Sequence, residues 1–171
     1  AVANGEPTYE GIRDPENGSA WWQGHEAWIQ YTSGGTMGVV YGAGGLWNWK
    51  LNPEEEGWDD WCNSNVSWKE AIELPGSIYV GYLGDALKGL NTTDIERHPE
   101  LAEGNYCLAH PGKLYIIYLP EGGTVQVSGY EGMADFKWFD PQKGEFTDKG
   151  ITDAQSFTAS DEPAVLIIEI R

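Results

Sequence analysis

The fold is decided by the stretch Thr36–Trp49, which reads Thr-Met-Gly-Val-Val-Tyr-Gly-Ala-Gly-Gly-Leu-Trp-Asn-Trp. Residues 37–41 carry no charge and are rich in β-forming side chains, so they predict a short strand that can be buried on both faces. The glycines that follow, with Trp47 and Trp49, predict a loop at the carboxyl end of this strand. Such loops form active-site walls in α/β enzymes, although the two tryptophans could equally pack as part of a core.

The residues before this strand complete a first βα unit. Residues 1–4 could end an earlier strand, and Pro7 with its flanking glycines marks a loop. Residues 20–33 then repeat large side chains at every third or fourth position, which predicts a helix capped by Ser19. A helix that returns the chain between two strands implies that those strands pair in parallel.

The residues after the strand predict a second helix and then a change of fold class. Ser67 and Glu70 have the spacing of a capping box, and residues 77–90 have an amphipathic helical pattern. From residue 105 onward, about seven short alternating segments are separated by turns, a density typical of an antiparallel β-sandwich. We therefore expect an α/β domain over residues 1–92 and an all-β domain over residues 93–171.

The composition argues against two classes of partner. The net charge is −17 with only ten lysines and arginines, so the chain lacks the basic surface that nucleic acids and anionic membranes require. It also contains no run of 18 apolar residues that could span a bilayer. An acidic chain rich in tryptophan and glycine suits an extracellular or periplasmic protein that binds sugars. Aromatic rings stack on the C–H faces of sugars, and carboxylates accept hydrogen bonds from their hydroxyl groups.

Few side chains suit a metal, a cofactor or a nucleophile–base pair. His25, His98 and His110 lack the spacing of a metal site, and there is no phosphate-binding glycine motif, so we expect neither a metal nor a cofactor. Only His25 has a second interpretation, because it lies on the helix that leads to the opening strand. Cys62 and Cys107 allow one disulfide, but two separate reduced thiols are favoured.

The first loop holds the candidate catalytic carboxylates. Glu6 and Glu10 flank Tyr9 in a loop directly after the first predicted strand, where α/β enzymes place catalytic groups. The same pattern is compatible with two solvated glutamates that take no part in chemistry. The acidic, tryptophan-bearing loop of residues 50–66 is typical of a solvated surface but could also line a sugar subsite.

Four strings of the sequence together resemble one enzyme family. In chain order they are Gly5-Glu6-Pro7-Thr8-Tyr9-Glu10-Gly11, then Gly35-Thr36-Met37-Gly38-Val39-Val40-Tyr41-Gly42-Ala43 with Trp47 after it, then Pro75-Gly76, and finally Tyr115-Ile116-Ile117-Tyr118-Leu119-Pro120 followed by Trp138-Phe139-Asp140-Pro141-Gln142-Lys143-Gly144. Their order resembles the carboxyl-terminal half of the apiosidase-like glycoside hydrolases. That family joins a (β/α)8 barrel to a small β-sandwich, which family catalogues label a collagen-binding domain.

The resemblance implies a fold and a set of site residues. Residues 1–90 would match the last two βα units of a (β/α)8 barrel, and a small antiparallel β-sandwich would follow. In barrels of this type the seventh strand carries the nucleophile, which makes Glu6 the candidate nucleophile and Glu10 the second candidate. His25 and Glu26 stand where the family would have an arginine. The residues expected to bind the sugar are Tyr9, His25, Tyr41, Trp47 and Trp49.

The implied mechanism needs more than this chain. A retaining glycosidase uses two carboxylates about 5–5.5 Å apart, and the acid/base of the fourth strand would precede residue 1. Two βα units cannot close a barrel, so we expect a fragment, or one piece of an assembly in which another chain completes the barrel, and no activity from this chain alone. Two other functions stay open: a module that binds a polysaccharide or a matrix protein without chemistry, and a sandwich that only braces the barrel.

Overall fold

A computed structural model gives the fold for residues 2–12, 14, 16–55 and 64–171. Within these residues the helices are α1 (Ala20–Thr32), α2 (Gly44–Trp47), α3 (Trp68–Ala71), α4 (Gly76–Leu87) and a 3-10 helix (Pro99–Ala102). The strands are β1 (Glu96–Arg97), β2 (Tyr106–His110), β3 (Leu114–Leu119), β4 (Thr124–Gln126), β5 (Ala134–Asp140), β6 (Glu145–Thr152), β7 (Ser156–Thr158) and β8 (Ala164–Ile170). The fold is a mixed one, in which the four described α-helices precede the strands.

The strands form one large antiparallel sheet and one small ribbon. The sheet has the order β1-β2-β3-β8-β5-β6, and the ribbon pairs β4 with β7. β3 lies in the middle of the sheet and is buried along its whole length. Its sequence is a continuous apolar and aromatic run because both of its faces are covered. β6 lies at the edge of the sheet and is mostly exposed.

Two apolar cores lie on opposite faces of the sheet. Alternate residues of β3 contribute to different cores, Tyr115 and Ile117 to one, Ile116 and Tyr118 to the other. The first core is closed by the β4–β7 ribbon and the 3-10 helix, and the second by α1 and α4. Trp28 of α1, which is fully buried, anchors the helices on the sheet.

The predicted antiparallel sheet is confirmed, but the β layer that packs on it is smaller than the second sheet of a β-sandwich. Each strand of the β4–β7 ribbon has three residues, so the ribbon covers only part of one face. The other face is covered by helices, because the apolar sides of α1 and α4 and the apolar face of the sheet bury each other. The helices and the sheet therefore share a core across residue 92, the boundary expected from the sequence.

The helix predictions are confirmed with small shifts of their ends. α1 was expected over residues 20–33 and ends at Thr32, and the Ser19 side chain accepts from the Trp22 N–H at its start. The capping box of Ser67 and Glu70 is present. α4 was expected over residues 77–90 and spans Gly76–Leu87, one residue early at its start and three at its end. The loop predicted after residues 37–41 contains a short helix, α2.

The prediction of a buried strand over residues 37–41 is wrong. These residues form no strand, and Met37 and Val40 are 69% and 44% exposed. The expected strand end at residues 2–4 is likewise exposed and irregular. The physical reason is that a strand buried on both faces needs a neighbour on each side. Among the described residues, the Met37 N–H donates to the Val2 carbonyl and the Gly38 N–H to the Gly35 carbonyl, and no strand lies on either side of this segment.

The two irregular segments nevertheless run side by side in parallel. The Glu10 N–H donates to the Gly42 carbonyl at 2.9 Å, and the Gly44 N–H donates to the Glu10 carbonyl at 2.8 Å, which makes an isolated parallel bridge. At the other end the Met37 N–H donates to the Val2 carbonyl at 3.1 Å. The predicted direction of pairing is therefore correct, although the regular strands are not formed.

Two predictions concern residues that the structure leaves out. Trp58 and Trp61, in the loop that could line a sugar subsite, lie outside the described residues, as does Cys62. Cys107 is a buried free thiol, and burial raises its pKa to about 12.

Among the described helices, none is long and apolar enough to cross a bilayer.

Candidate active site

An exposed carboxylate and two aromatic rings lie together beside the parallel pair. The Tyr9 O–H donates to Glu6 Oε1 at 3.3 Å, and Glu6 is exposed. The ring of Tyr9 meets the ring of Trp47 with centroids 5.6 Å apart and planes inclined by 40°. Trp47 is 43% exposed, so part of its indole faces solvent. This row offers an acceptor for hydroxyl groups next to an apolar surface, which suits the two faces of a sugar ring.

Glycines allow this row to assemble. A Cβ at Gly42 would overlap the Tyr9 ring, so only glycine lets the ring lie against the backbone here. A Cβ at Gly45 would lie 2.6 Å from the Val66 carbonyl oxygen, so α2 can dock only with glycine at this position. The docked α2 places Trp47 at its carboxyl end, beside Tyr9.

Tyr9 is a hydrogen-bond donor to Glu6. Its pKa is raised, mainly by burial and further by the negative charge of Glu6 and the hydrogen bond to it. The phenol therefore stays protonated at neutral pH. This bond orients the Glu6 carboxylate, and the backbone N–H of Glu6 donates to Asn4 Oδ1 at 3.1 Å.

Glu10 is a buried carboxylate with partners inside the protein. It is 3% exposed, and its Oε2 accepts from the Tyr41 O–H at 2.6 Å and from the Gly76 N–H at 2.8 Å. Gly76 is the first residue of α4, where a negative charge satisfies a free N–H and interacts favourably with the helix dipole. In this arrangement Glu10 holds Tyr41 and the start of α4, and its catalytic role stays a prediction.

Tyr41 is fixed by the same carboxylate. Its pKa is raised, first by burial and then by the hydrogen bond to Glu10 and its charge. The phenol therefore remains a donor over the whole neutral range. Glu10 and Tyr41 form one partly buried pair, and Glu6 and Tyr9, on the loop that carries Glu10, form a second, exposed pair.

His25 is placed away from the Glu6–Tyr9–Trp47 row. Its Nδ1 is 2.7 Å from the Tyr118 hydroxyl, and its ring lies 5.2 Å from the Trp22 ring, so it faces the β-sheet. Its neighbour Glu26 contacts the loop of Glu6 and Glu10 instead, because Glu26 Oε2 accepts from the Thr8 N–H at 3.0 Å. The helical pattern of α1 places both residues on the helix but does not say which of them meets the loop.

The model of the apiosidase-like catalytic domain matches residues 1–94, which is more than half of the 171 residues. The chain belongs to the apiosidase-like family. The matched region of this apiosidase-like chain contains both candidate carboxylates and every aromatic residue of the two pairs. No curated protein matches the chain significantly.

Two solved structures resemble the apiosidase-like chain over nearly its whole length. One is described as a glycoside hydrolase and has a TM-score of 0.76; the other, a glycoside hydrolase of family 5 from Bacteroides vulgatus ATCC 8482, has a TM-score of 0.75. Each is 19% identical, and each match covers 99% of this chain and 42% of the other chain. At this identity the likeness establishes the fold, a mixed α/β arrangement that is similar to part of a glycoside hydrolase.

Other features of the apiosidase-like chain were not expected from its sequence. Trp49 is 78% exposed and has a left-handed backbone, φ 53°, which is uncommon for a tryptophan. Gly76 was part of the family resemblance, but its bond with Glu10 spans 66 residues of sequence, and no local pattern could have revealed it. Among the described residues, no three histidine, cysteine, aspartate or glutamate side chains are placed to hold a metal ion.

Proposed function

We propose that this chain supplies the last two βα units of a (β/α)8 barrel and the carboxyl-terminal β domain of a retaining glycoside hydrolase. The complete enzyme would cleave a polysaccharide or an oligosaccharide. The proposal rests chiefly on the exposed carboxylate of Glu6, which Tyr9 orients and the Trp47 ring adjoins. The chain spans 42% of the length of the glycoside hydrolases that it resembles, which leaves room in such a protein for the other units.

Exposed apolar side chains in the amino-terminal part support the proposal that further βα units pack against it. Large apolar side chains are exposed there, and a neighbouring unit would bury them. They are Val2, Met37, Val40, Leu51, Ile72 and Ile78. The parallel pair of residues 2–10 and 37–43 also has few backbone partners. Six further βα units, in the same chain or in a partner chain, would pair with these segments and bury this surface.

The chemistry assigns different tasks to the two carboxylates. Glu6 would attack the anomeric carbon while an acid/base carboxylate, expected on the fourth strand, protonates the leaving oxygen. Water would then hydrolyse the glycosyl-enzyme ester, with the second carboxylate as base. Tyr9 would orient Glu6, and Glu10 would hold Tyr41 at the wall of the site. Without the second carboxylate we expect no turnover from this chain.

The test compares the two glutamates in a protein that carries these residues within a complete barrel. We expect Glu6→Gln to lower kcat on an aryl glycoside or a plant oligosaccharide by more than about 10³-fold, with substrate affinity retained. Glu10→Gln should lower stability together with a smaller loss of activity. Unchanged turnover in Glu6→Gln, or a larger loss in a fully folded Glu10→Gln, would refute the assignment.

A binding module without chemistry is the second candidate. The exposure of Trp49, 78%, and of Trp47, 43%, favours it, since exposed indoles serve as platforms for sugars. Affinity electrophoresis of this chain in gels that contain a polysaccharide separates the two proposals. Retardation of the chain, with no turnover by the completed protein, favours the binding module.

We also propose that residues 93–171 brace the helical part, and that the protein acts in the extracellular space or the periplasm. The stabilising role of residues 93–171 is supported by the shared core, in which Trp28 and Leu83 pack against Ile116 and Val165 of the sheet. Deleting residues 93–171 should therefore unfold the rest, and a folded, soluble remainder would contradict the brace. Fractionation of the native host tests the location.

A further inference from the structure

A groove of about 490 Å³ lies between the start of α1 and the turns at one end of the sheet. Its α1 side presents Trp21, Trp22 and His25, all partly buried. The opposite side is formed by the turns after β3 and β5 and by the loop before β8. The volume is in the range of ligand sites, which occur preferentially where two structural units meet. The groove shares no lining residue with the Glu6–Tyr9–Trp47 row.

The aromatic floor of this groove is held in place by the protein. The Trp21 ring packs edge-on against Tyr79 with centroids 5.8 Å apart, and the Trp22 ring lies 5.2 Å from His25. His25 is itself fixed by its contact with the Tyr118 hydroxyl at 2.7 Å. A ligand that stacks on these rings would therefore lose little side-chain entropy of the protein on binding.

The rim of the groove is polar and rich in carboxylates. Within the part of the chain that the structure describes, four exposed carboxylates line it and no lysine or arginine does; the four are Glu16, Glu121, Asp161 and Glu162. Burial lowers the pKa of His25, and the charges of Glu121 and Glu26 oppose this only partly, so the imidazole is neutral at neutral pH. An anionic ligand would be repelled here, whereas hydroxyl groups would find acceptors.

We propose that this groove is a second binding site, and that its ligand is a neutral saccharide chain. Pyranose rings would stack on Trp21 and Trp22, and their hydroxyl groups would donate to the carboxylates of the rim. An apolar floor beneath a rim of acceptors matches the two chemical faces of a sugar. The proposed function contributes only the choice of ligand class, and binding in the groove does not require Glu6.

The direction of α1 places the groove on the active-site side. Residues 2–10 run toward the end where Glu10 bridges Ala43, and α1 begins after the short loop that follows. Because the helix returns antiparallel to this segment, its first turn lies at that same end. The groove could therefore hold a distant part of the polymer whose bond Glu6 cleaves.

The test measures binding to this chain by calorimetry, with cellohexaose and xylohexaose as neutral probes, hexagalacturonate as an anionic probe and hexalysine as a cationic one. We expect at least one neutral hexasaccharide to bind, and Trp21→Ala to weaken it about tenfold or more. Trp47→Ala is the matched control for the other site and should leave this affinity unchanged. The double variant Asp161→Lys/Glu162→Lys, on an exposed loop that should not affect folding, should also weaken the neutral probe.

Three results would overturn the proposal. The first is no binding of either neutral hexasaccharide at about 10 mM. The second is a preference for hexagalacturonate, or for hexalysine with binding that disappears in about 0.5 M salt. The third is a neutral probe whose affinity depends on Trp47 and not on Trp21. None of these results bears on the Glu6→Gln comparison of turnover, so the groove and the proposed hydrolase function fail separately.

Discussion

Replacing Gly76 with alanine tests whether Glu10 is held at the start of α4. The Gly76 N–H donates to Glu10 Oε2 at 2.8 Å, and a Cβ at this position would overlap that same oxygen. The new methyl would also lie 2.8 Å from Gln23 Cγ. Both neighbours are 3% exposed, so neither is a free side-chain end that can turn into solvent. The carboxylate must therefore leave its place.

The expected cost follows from the bonds that Glu10 would lose. It accepts one hydrogen bond from Tyr41 and one from Gly76. Hydrogen bonds to a charged group contribute about 1.5–3 kcal/mol each, which gives about 3–6 kcal/mol for two. The higher helix propensity of alanine offsets about 1 kcal/mol of this. We expect the free energy of unfolding to fall by about 2–5 kcal/mol.

The assay is urea unfolding followed by tryptophan fluorescence, with Gly81→Ala as the matched control. Gly81 lies in the same helix, and a Cβ there meets nothing within 4 Å. Gly81→Ala should therefore raise stability by about 0.5–1 kcal/mol through helix propensity alone. If Gly76→Ala is as stable as the wild type, or is stabilised like Gly81→Ala, the contact between Glu10 and α4 does not exist in solution.

Three further predictions follow from the described contacts. Tyr41→Phe removes the 2.6 Å donor to Glu10 and should cost about 1.5–3 kcal/mol in urea unfolding; an unchanged midpoint would show that this bond is absent. Ser67→Ala removes the capping box of α3 and should cost about 1 kcal/mol, whereas Ser67→Asp should restore most of it. Because the pKa of His25 is lowered by burial, the wild type should lose stability as the pH falls below about 6.5. His25→Gln lacks this loss, so the stability difference between wild type and variant should shrink from pH 8 to pH 5; a constant difference would contradict the burial of a neutral imidazole.

The sequence predicts best the features whose causes are local. Ser19 and Ser67 were expected to cap helices because a cap involves side chains and N–H groups within three residues, and both are found. Residues 113–119 form a nearly continuous apolar run, which is typical of a strand, and they contain β3, which is buried in the middle of the sheet. Residues 37–41 have a similar composition, but a buried strand also needs neighbours on both sides, which lie elsewhere in the chain or outside it.

The candidate site depends more on distant contacts. The family resemblance singled out Glu6, Tyr9 and Trp47, and the structure brings these three together. The residues around Glu10 in the sequence do not indicate that Glu10 is buried against Gly76, which lies 66 residues away. The same holds for His25, whose partner Tyr118 is 93 residues further along the chain. Such pairings follow from the packing of α1 and α4 on the sheet, which residue spacing does not encode.

Trapping the covalent intermediate tests the central assignment most directly. A protein that carries these residues in a complete barrel is incubated with a 2-deoxy-2-fluoro glycoside of a sugar that it cleaves, because such sugars form the glycosyl-enzyme ester but release it slowly. Peptide mapping by mass spectrometry then locates the attached sugar. We expect the label on Glu6, since its carboxylate is exposed and oriented by Tyr9. A label on Glu10, or on a residue outside this loop, would contradict the account.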